Sequence, residues 1–208
     1  MQYFSFSKKG NRPINADYLI TDAKKGIFII ADAVGSNDSA KKTSQTACTI
    51  AHEECLKKEI KEPMIKIISA LDEAHNSVVR NLPGSATTLD LLLIENKQAY
   101  IGHLGDSRVY LFRNHELRQL TEDHSIRHKI YQAIGLPDSV PDQINPPKLK
   151  RGDLIAMTTD GVHNSVSRED LTYLFNTGIA LPDLAEVLIW EIERKGEYDN
   201  YTGILIRI

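Results

Sequence analysis

The centre of the chain decides its fold, and residues 87–113 run TTLDLLLIENKQAYIGHLGDSRVYLFR. This stretch contains three apolar runs that are bounded by turn residues, as is typical of β-strands: 87–95, 98–104 and 108–113. The connections 96–97 and 105–107 are only two and three residues long. Connections this short join antiparallel strands, because parallel strands need a long crossover. The stretch therefore predicts an antiparallel sheet.

Shorter apolar runs extend the strand prediction towards both ends of the chain. They cover residues 2–7, 18–20, 26–31, 153–159 and 202–208. The segment 121–150 contains several prolines and shows no regular pattern. Loops of this length within compact domains are often functional.

Apolar residues spaced three and four positions apart predict helices between these strands. One helix is expected over about 39–61, and a second from Pro63 to the Pro83-Gly84 pair. Ser167 with Asp170 is typical of a third helix start, and Pro182 opens a last helix that runs to about residue 194. Helix pairs with one apolar face must cover a sheet. The prediction is an α+β fold: a four-layer αββα sandwich of two antiparallel β-sheets flanked by helix pairs, formed by residues 1–208 as one domain.

Composition excludes several classes of protein. The formal net charge is −3, and the lysines occur in scattered doublets, which gives no electrostatic footprint for nucleic acid or an anionic membrane. No apolar run approaches the roughly 20 residues of a membrane span, and the first residues lack a signal-peptide core. Cys48 and Cys55 would lie about 10 Å apart along one helix, too far for a disulfide. We expect a cytoplasmic protein that binds neither nucleic acid nor membranes.

Aspartates stand at the ends of several predicted strands. Asp32 and Asp160 directly follow strands, Asp17 begins one, and Asp199 precedes the last one. Carboxylates at the tips of neighbouring strands can converge, and they repel one another unless a cation neutralises them. Oxygen ligands of this kind select Mg²⁺ or Mn²⁺ over zinc. The competing interpretation is that aspartate simply favours turns, and position alone does not decide between the two.

Seven short blocks surround these aspartates and occur in a fixed order. They are GNRPINAD (10–17), IIADAVG (29–35), GSATT (84–88), GDSRVY (105–110), LTEDHS (120–125), GDLIAMTTDGV (152–162) and DNYT (199–202). Each block is weak evidence by itself, but seven in sequence are highly specific. Together they resemble the motifs of the metal-dependent protein Ser/Thr phosphatases of type 2C, the PPM family, in a short bacterial-like form.

The resemblance implies hydrolysis of phosphoserine and phosphothreonine on proteins by a water that two metal ions, Mn²⁺ or Mg²⁺, activate. By motif position, Asp32 would bridge the two ions and the carbonyl oxygen of Ala33 would bind one of them. Asp160 and Asp199 would bind the other ion. The implied partner is a phosphorylated protein, a Ser/Thr kinase or its target.

The same resemblance assigns roles around the ions. Asp17 would hold coordinated waters, and Arg12 would clamp phosphate oxygens, a task that its planar fork suits. Asp106 matches a position that serves a third metal ion in some members, and its alternative role is to fix the turn at 105–107. Arg108 and Asp123 are expected to form a packed polar pair.

Four departures from the family pattern count against activity, and two of them, the missing glutamate and the short flap, favour an alternative: a metal-binding pseudophosphatase or regulatory domain of the same fold. Ala16 replaces the usual glutamate, and Ala33 replaces a glycine. Ser36 and Asn37 stand where a glycine and a histidine often occur. The segment 125–143 is short, so the flap is reduced to a stub and a more open site is expected. The presence of Arg12 and of all three predicted metal-binding aspartates, Asp32, Asp160 and Asp199, argues against this alternative.

Unrelated chemistry has less support in the sequence. Neither Cys48 nor Cys55 has the arginine that a Cys-x₅-Arg phosphatase needs, and no nucleophile elbow or phosphate-binding loop occurs. His124 and His128 could hold zinc if they lay on one helix, but no third ligand is evident, and packing or solvent exposure is the favoured role. An interaction domain without metal is the remaining alternative.

Overall fold

Two five-stranded antiparallel sheets lie face to face at the centre of the molecule. The computed structural model describes residues 1–127, 129–146, 148–196 and 199–208. Strands in these residues are β1 (Gln2–Lys8), β2 (Asp17–Asp22), β3 (Ile27–Asp32), β4 (Leu89–Glu95), β5 (Gln98–Leu104), β6 (Arg108–Arg113), β7 (Glu116–Gln119), β8 (Ser125–Ile126), β9 (Lys129–Ile130), β10 (Asp142–Ile144), β11 (Leu154–Thr158) and β12 (Tyr201–Arg207). Helices are α1 (Asp38–Cys55), α2 (Pro63–Asn81), α3 (Asp160–His163), α4 (Arg168–Asn176) and α5 (Leu181–Arg194).

The strand order brings distant parts of the chain together. One sheet has the order β1-β12-β11-β6-β7 and the other β10-β5-β4-β3-β2. In the first sheet the two ends of the chain pair over seven residues, from Gln2 opposite Arg207 to Lys8 opposite Tyr201. The small β8-β9 hairpin is separate from both sheets.

Alternation along the strands explains the layering, and β3 illustrates it. Ile27, Ile29 and Ala31 belong to the apolar cluster shared with α1 and α2, on the outer face of the second sheet. Phe28 and Ile30 point the other way, into the cluster between the two sheets. Because β3 is covered on both faces, its sequence is almost continuously apolar.

The helices cover the outer faces, as expected. α1 and α2 pack on the second sheet, and α4 and α5 pack on the first. Side chains cap two helix starts: Asn37 accepts a hydrogen bond from the N–H of Ala40, and Ser167 accepts one from the N–H of Asp170. The predicted four-layer α+β sandwich is confirmed.

Three local predictions need correction. The connection 105–107 was predicted to join two paired antiparallel strands, but β5 and β6 belong to different sheets, because β6 pairs with β11 and packs its apolar side chains against β5 across the space between the sheets. The helix predicted over 39–61 ends at Cys55, because residues 57–59 are charged and exposed and offer no apolar face to the sheet. The segment 121–150, predicted as structureless, contains β8, β9 and β10. These strands are two or three residues long, too short to leave a periodic pattern. The prediction of no disulfide is confirmed, since both cysteines are free and buried.

Among the described helices, none combines the length and the apolar character that crossing a bilayer requires.

Candidate active site

One cavity of about 150 Å³ gathers six of the seven predicted site residues. Its lining consists of Arg12, Asp32, Ala33, Asp106, Asp160 and Asp199, joined by Val34, Gly35 and Ile130. Strand ends bring three aspartates to the cavity. Asp32 is the last residue of β3, Asp160 follows the end of β11, and Asp199 precedes the start of β12. The arrangement predicted from strand ends therefore produces a single acidic cavity, although the individual roles stay predictions.

Asp17, the seventh residue, is buried beside the cavity. Antiparallel pairing of β2 with β3 puts Asp17 directly opposite Asp32. Oδ2 of Asp17 accepts a hydrogen bond of 2.9 Å from the Thr159 hydroxyl. The Thr159 oxygen in turn accepts the N–H of Thr202 at 2.9 Å. One threonine thus ties the two sheets together at the site.

The backbone of Asp32 is fixed by Thr88. The N–H of Asp32 donates to Oγ1 of Thr88 at 2.9 Å, and the N–H of Thr88 donates to the carbonyl of Asp32 at 2.8 Å. The Thr88 hydroxyl also pairs with the Ser107 hydroxyl at 2.7 Å. Thr88 is fully buried, so these bonds face no competition from water.

Thr88→Val is expected to destabilise the protein by about 1–3 kcal/mol, because the isosteric side chain removes the acceptor of the Asp32 N–H and leaves the buried Ser107 hydroxyl without its partner. Urea unfolding measures the change. Thr172→Val is the matched control, since the hydroxyl of this half-buried residue donates to the carbonyl of Arg168 within α4, and its effect should stay within about 0.5 kcal/mol. Equal losses in the two variants would contradict the role given to Thr88.

Mutual repulsion governs the electrostatics of the cavity. Burial raises the pKa of Asp17 to about 7, and the charge of Asp160 adds to this rise. Burial and the neighbouring charges of Asp17 and Asp160 raise the pKa of Asp32 well above its usual value. For Asp106, burial is the main cause of a raised pKa. A site with this concentration of negative charge favours a bound cation.

Arg12 is engaged with Asp199. Its Nε donates to Oδ1 at 2.9 Å and its Nη2 donates to Oδ2 at 2.5 Å. The hydrogen bond to Asp199 is the main cause that raises the pKa of the Arg12 guanidinium. Arg12, the predicted phosphate clamp, therefore pairs with Asp199, a predicted metal ligand.

The departures from the family pattern have clear structural consequences. Ala16 is fully buried and clusters with Ala33 and Ala40, so this position supplies a methyl group and no carboxylate. Asn37 caps α1, which explains an amide in place of the usual histidine. The shortened flap still reaches the site, since Ile130 lines the cavity.

Asp106 stands on a rigid turn. Gly105 before it has φ +113°, and a Cβ there would lie 2.5 Å from the Thr88 side chain, so only glycine fits. Next to this turn, Arg108 makes a two-pronged contact with Asp123 at 2.7–3.2 Å. That packed polar pair is the one expected from the sequence.

The chemistry of the donor set suits divalent cations. Carboxylate and carbonyl oxygens are the ligands that Mg²⁺ and Mn²⁺ prefer. Oδ1 of Asp17 is buried and has no hydrogen-bond partner within the described chain. In the ranges that the structure describes, no three His, Cys, Asp or Glu side chains lie close enough together to hold one ion. Asp199 is drawn towards Arg12 in this arrangement.

The rival chemistries find no support at this site. Burial raises the pKa of the Cys55 thiol to about 12 and that of Cys48 further still, so neither is a ready nucleophile. His124 uses Nδ1 to accept the N–H of Gly105 and Nε2 to contact Asp142. The other candidate zinc ligand, His128, lies outside the described residues.

Sequence reasoning gave no role to Thr88, Thr159 or Ile130. The two threonines lie inside blocks that carry the family resemblance, which was the available signal. Their partners are 56 and 142 positions away, and no local pattern reveals such contacts.

Comparison with known proteins agrees with this fold. The sequence model of the family described as Protein phosphatase 2C matches residues 11–189. Protein phosphatase PhpP of Streptococcus pneumoniae is 26% identical over 228 residues, which cover 96% of this chain and 92% of PhpP. The match spans most of the chain, and the chain belongs to the protein phosphatase 2C family.

Solved structures show the same fold. The Mycobacterium tuberculosis serine/threonine phosphatase PstP/Ppp has a TM-score of 0.89 and 22% identity, covering 100% of this chain and 98% of that one. A structure of the PstP catalytic domain in complex with two manganese ions has a TM-score of 0.86 and 24% identity, covering 98% and 96%.

Proposed function

We propose that this chain is a metal-dependent protein phosphatase that hydrolyses phosphoserine and phosphothreonine. The main support is the convergence of Arg12, Asp32, Asp160 and Asp199 on one cavity in a member of the protein phosphatase 2C family. A cavity at the surface that is lined by acids and one arginine suits a phosphate ester held through cations.

The proposed ligands are those that the sequence predicts. Asp32 would contact both of two Mn²⁺ or Mg²⁺ ions, the Ala33 carbonyl one of them, and Asp160 and Asp199 the other. When bound, such ions lower the pKa of a coordinated water and offset the negative charge of the phosphoryl oxygens. The two manganese ions of the PstP structure support this proposal by analogy.

The other side chains would orient the reactants. Arg12 would hold two phosphate oxygens, since its fork matches their spacing. Asp17, buried beside Asp32, would accept a hydrogen bond from water in the site. Val34 and Ile130 line the mouth and would contact the substrate around the phosphorylated residue. Asp106 would serve a third ion.

Hydrolysis of a phosphothreonine peptide by the purified chain tests this function. We expect phosphate release with Mn²⁺ or Mg²⁺ and none with EDTA, because the unneutralised carboxylates repel a phosphate dianion. Adding excess Mn²⁺ back to the chelated sample should restore the rate, which controls for unfolding. Equal release with and without chelator would contradict the mechanism.

The alternative is a pseudophosphatase of the same fold. Ala16 favours this alternative, because its buried methyl group stands where the family has a glutamate. Mn²⁺ binding by calorimetry without any phosphate release would decide for this alternative.

We further propose that residues 1–208 act as one domain on a phosphorylated protein, a Ser/Thr kinase or its target, in the cytoplasm. The two free, buried cysteines support a reducing compartment.

A further inference from the structure

The Arg12 guanidinium, proposed as a phosphate ligand, is paired with Asp199, a proposed metal ligand. It bonds both oxygens of Asp199, at 2.9 and 2.5 Å, and the N–H of Asn200 donates to Oδ1 of the same carboxylate at 2.8 Å. Three donors from the described part of the chain therefore hold Asp199. The Arg12 fork bonds both oxygens of Asp199 with charge-assisted hydrogen bonds, so it competes with a cation for this carboxylate.

We propose that Arg12 is an exchangeable counter-ion, which a divalent cation must displace from Asp199 and which then becomes available to the phosphate. The inference rests on the proposed function, because it takes Asp199 as a metal ligand and Arg12 as a phosphate ligand. It adds that the two binding events are coupled through one side chain.

The charges around Arg12 support the exchange. Among the described residues that line the cavity, Arg12 is the sole basic side chain, and it faces Asp32, Asp160 and Asp199. Without a cation, the arginine lessens their mutual repulsion. A divalent ion placed at Asp199 would repel the guanidinium at close range, so the two positive charges would not share this carboxylate.

The backbone around Arg12 permits a movement of the side chain alone. The Asn200 amide donates to the carbonyls of Lys9 and Ile14 at 2.7 and 2.9 Å, and its oxygen accepts the N–H of Ala16 at 2.8 Å. These bonds fix the loop on both sides of Arg12, whose side chain is 43% exposed. The bond from the Asn200 N–H would keep Asp199 oriented after the arginine leaves.

Thermodynamic linkage gives the exchange a measurable consequence. If a cation must displace Arg12, removing Arg12 strengthens cation binding, and a phosphate that draws Arg12 away does the same. A partly exposed ion pair is worth up to about 1 kcal/mol, which corresponds to about fivefold in affinity.

Titration calorimetry with Mn²⁺ alone, without substrate, tests the proposal. We expect Arg12→Ala to bind Mn²⁺ about fivefold more tightly than the wild type. Arg80→Ala is the matched control, because it removes the same charge from an exposed pair with Glu73 on α2, and its affinity should match the wild type within twofold. Arg12→Gln, which keeps most of the side-chain length, should behave like Arg12→Ala.

A second arm uses inorganic phosphate as the probe. Saturating orthophosphate should tighten Mn²⁺ binding more in the wild type than in Arg12→Ala, which lacks the exchangeable side chain. If both Arg12 variants bind Mn²⁺ no more tightly than the wild type does, this inference is overturned but the proposed function is not. A wild-type protein that binds no Mn²⁺ overturns the proposed function as well.

Discussion

Asp32→Asn is expected to abolish Mn²⁺-dependent hydrolysis of a phosphothreonine peptide. The asparagine keeps the shape but removes the charge that would be shared by both ions. Substitution of residues that merely support metal ligands costs about 10–100-fold, so the loss here should exceed about 100-fold. Phosphate release at saturating Mn²⁺ measures the rate, and calorimetry should show a parallel loss of Mn²⁺ affinity.

The same substitution should stabilise the metal-free protein at neutral pH. The pKa of Asp17 is about 7 and that of Asp32 is raised well above its ordinary value of 3.8. At pH values between the pKa of these carboxyls in the unfolded chain and their raised pKa in the folded chain, the folded chain binds more protons than the unfolded chain does. Its stability therefore falls as pH rises from about 4 to about 7. Removing the Asp32 charge relieves this repulsion, so melting in EDTA at neutral pH should occur at a higher temperature than in the wild type.

Asp22→Asn is the matched control, because Asp22 lies at the other end of the same β2-β3 pair, opposite Ile27. It should leave both the hydrolysis rate and the Mn²⁺ affinity unchanged. An active Asp32→Asn enzyme would refute the assignment of Asp32. An inactive variant that melts lower than the wild type in EDTA would indicate misfolding instead of a lost ligand.

Gly161→Ala is expected to cost about 3 kcal/mol of stability and most of the Mn²⁺ affinity. A Cβ at Gly161 would lie 2.2 Å from the carbonyl oxygen of Asn200 and 3.0 Å from its carbon. These are backbone atoms and cannot rotate away, so the loss of stability should lie at the upper end of the range for substitutions that overpack a core. Gly161 follows Asp160, and Asn200 follows Asp199. Relief of the clash would thus separate two proposed ligands.

Urea unfolding and Mn²⁺ calorimetry check this prediction together. Gly178→Ala is the control, because Gly178 has φ +68° but no atom within 4 Å of its added Cβ. That change should cost about 1–2 kcal/mol from backbone strain and leave Mn²⁺ affinity at the wild-type value. Normal Mn²⁺ binding by Gly161→Ala would show that the spacing of Asp160 and Asp199 does not depend on this contact.

Most of the fold was predictable because its signals are local. The runs that became β3 to β6 are apolar, and the two-residue turn at 96–97 predicted the β4-β5 hairpin that forms. The hairpin predicted at 105–107 was wrong, because β5 and β6 find their partners in different sheets and the connection itself carries no signal of that. The helices α2 and α5 were predictable because each has a proline in its first turn and apolar residues on one face. The end of α1 was missed because the charged residues after it continue the helical spacing without offering an apolar face. The strands β8, β9 and β10 were missed because they are too short to show a pattern.

The sequence by itself determined which aspartates stand at the ends of strands, since that depends on neighbouring residues alone. Only the tertiary structure decided that Asp17 faces Asp32 across two strands, that Thr88 and Thr159 support them, and that Arg12 contacts Asp199 across 187 positions. The physical reason is one of range. Backbone propensity and apolar periodicity act over a few residues, whereas charge pairing and burial act between any groups that the packed sheets bring within a few ångströms.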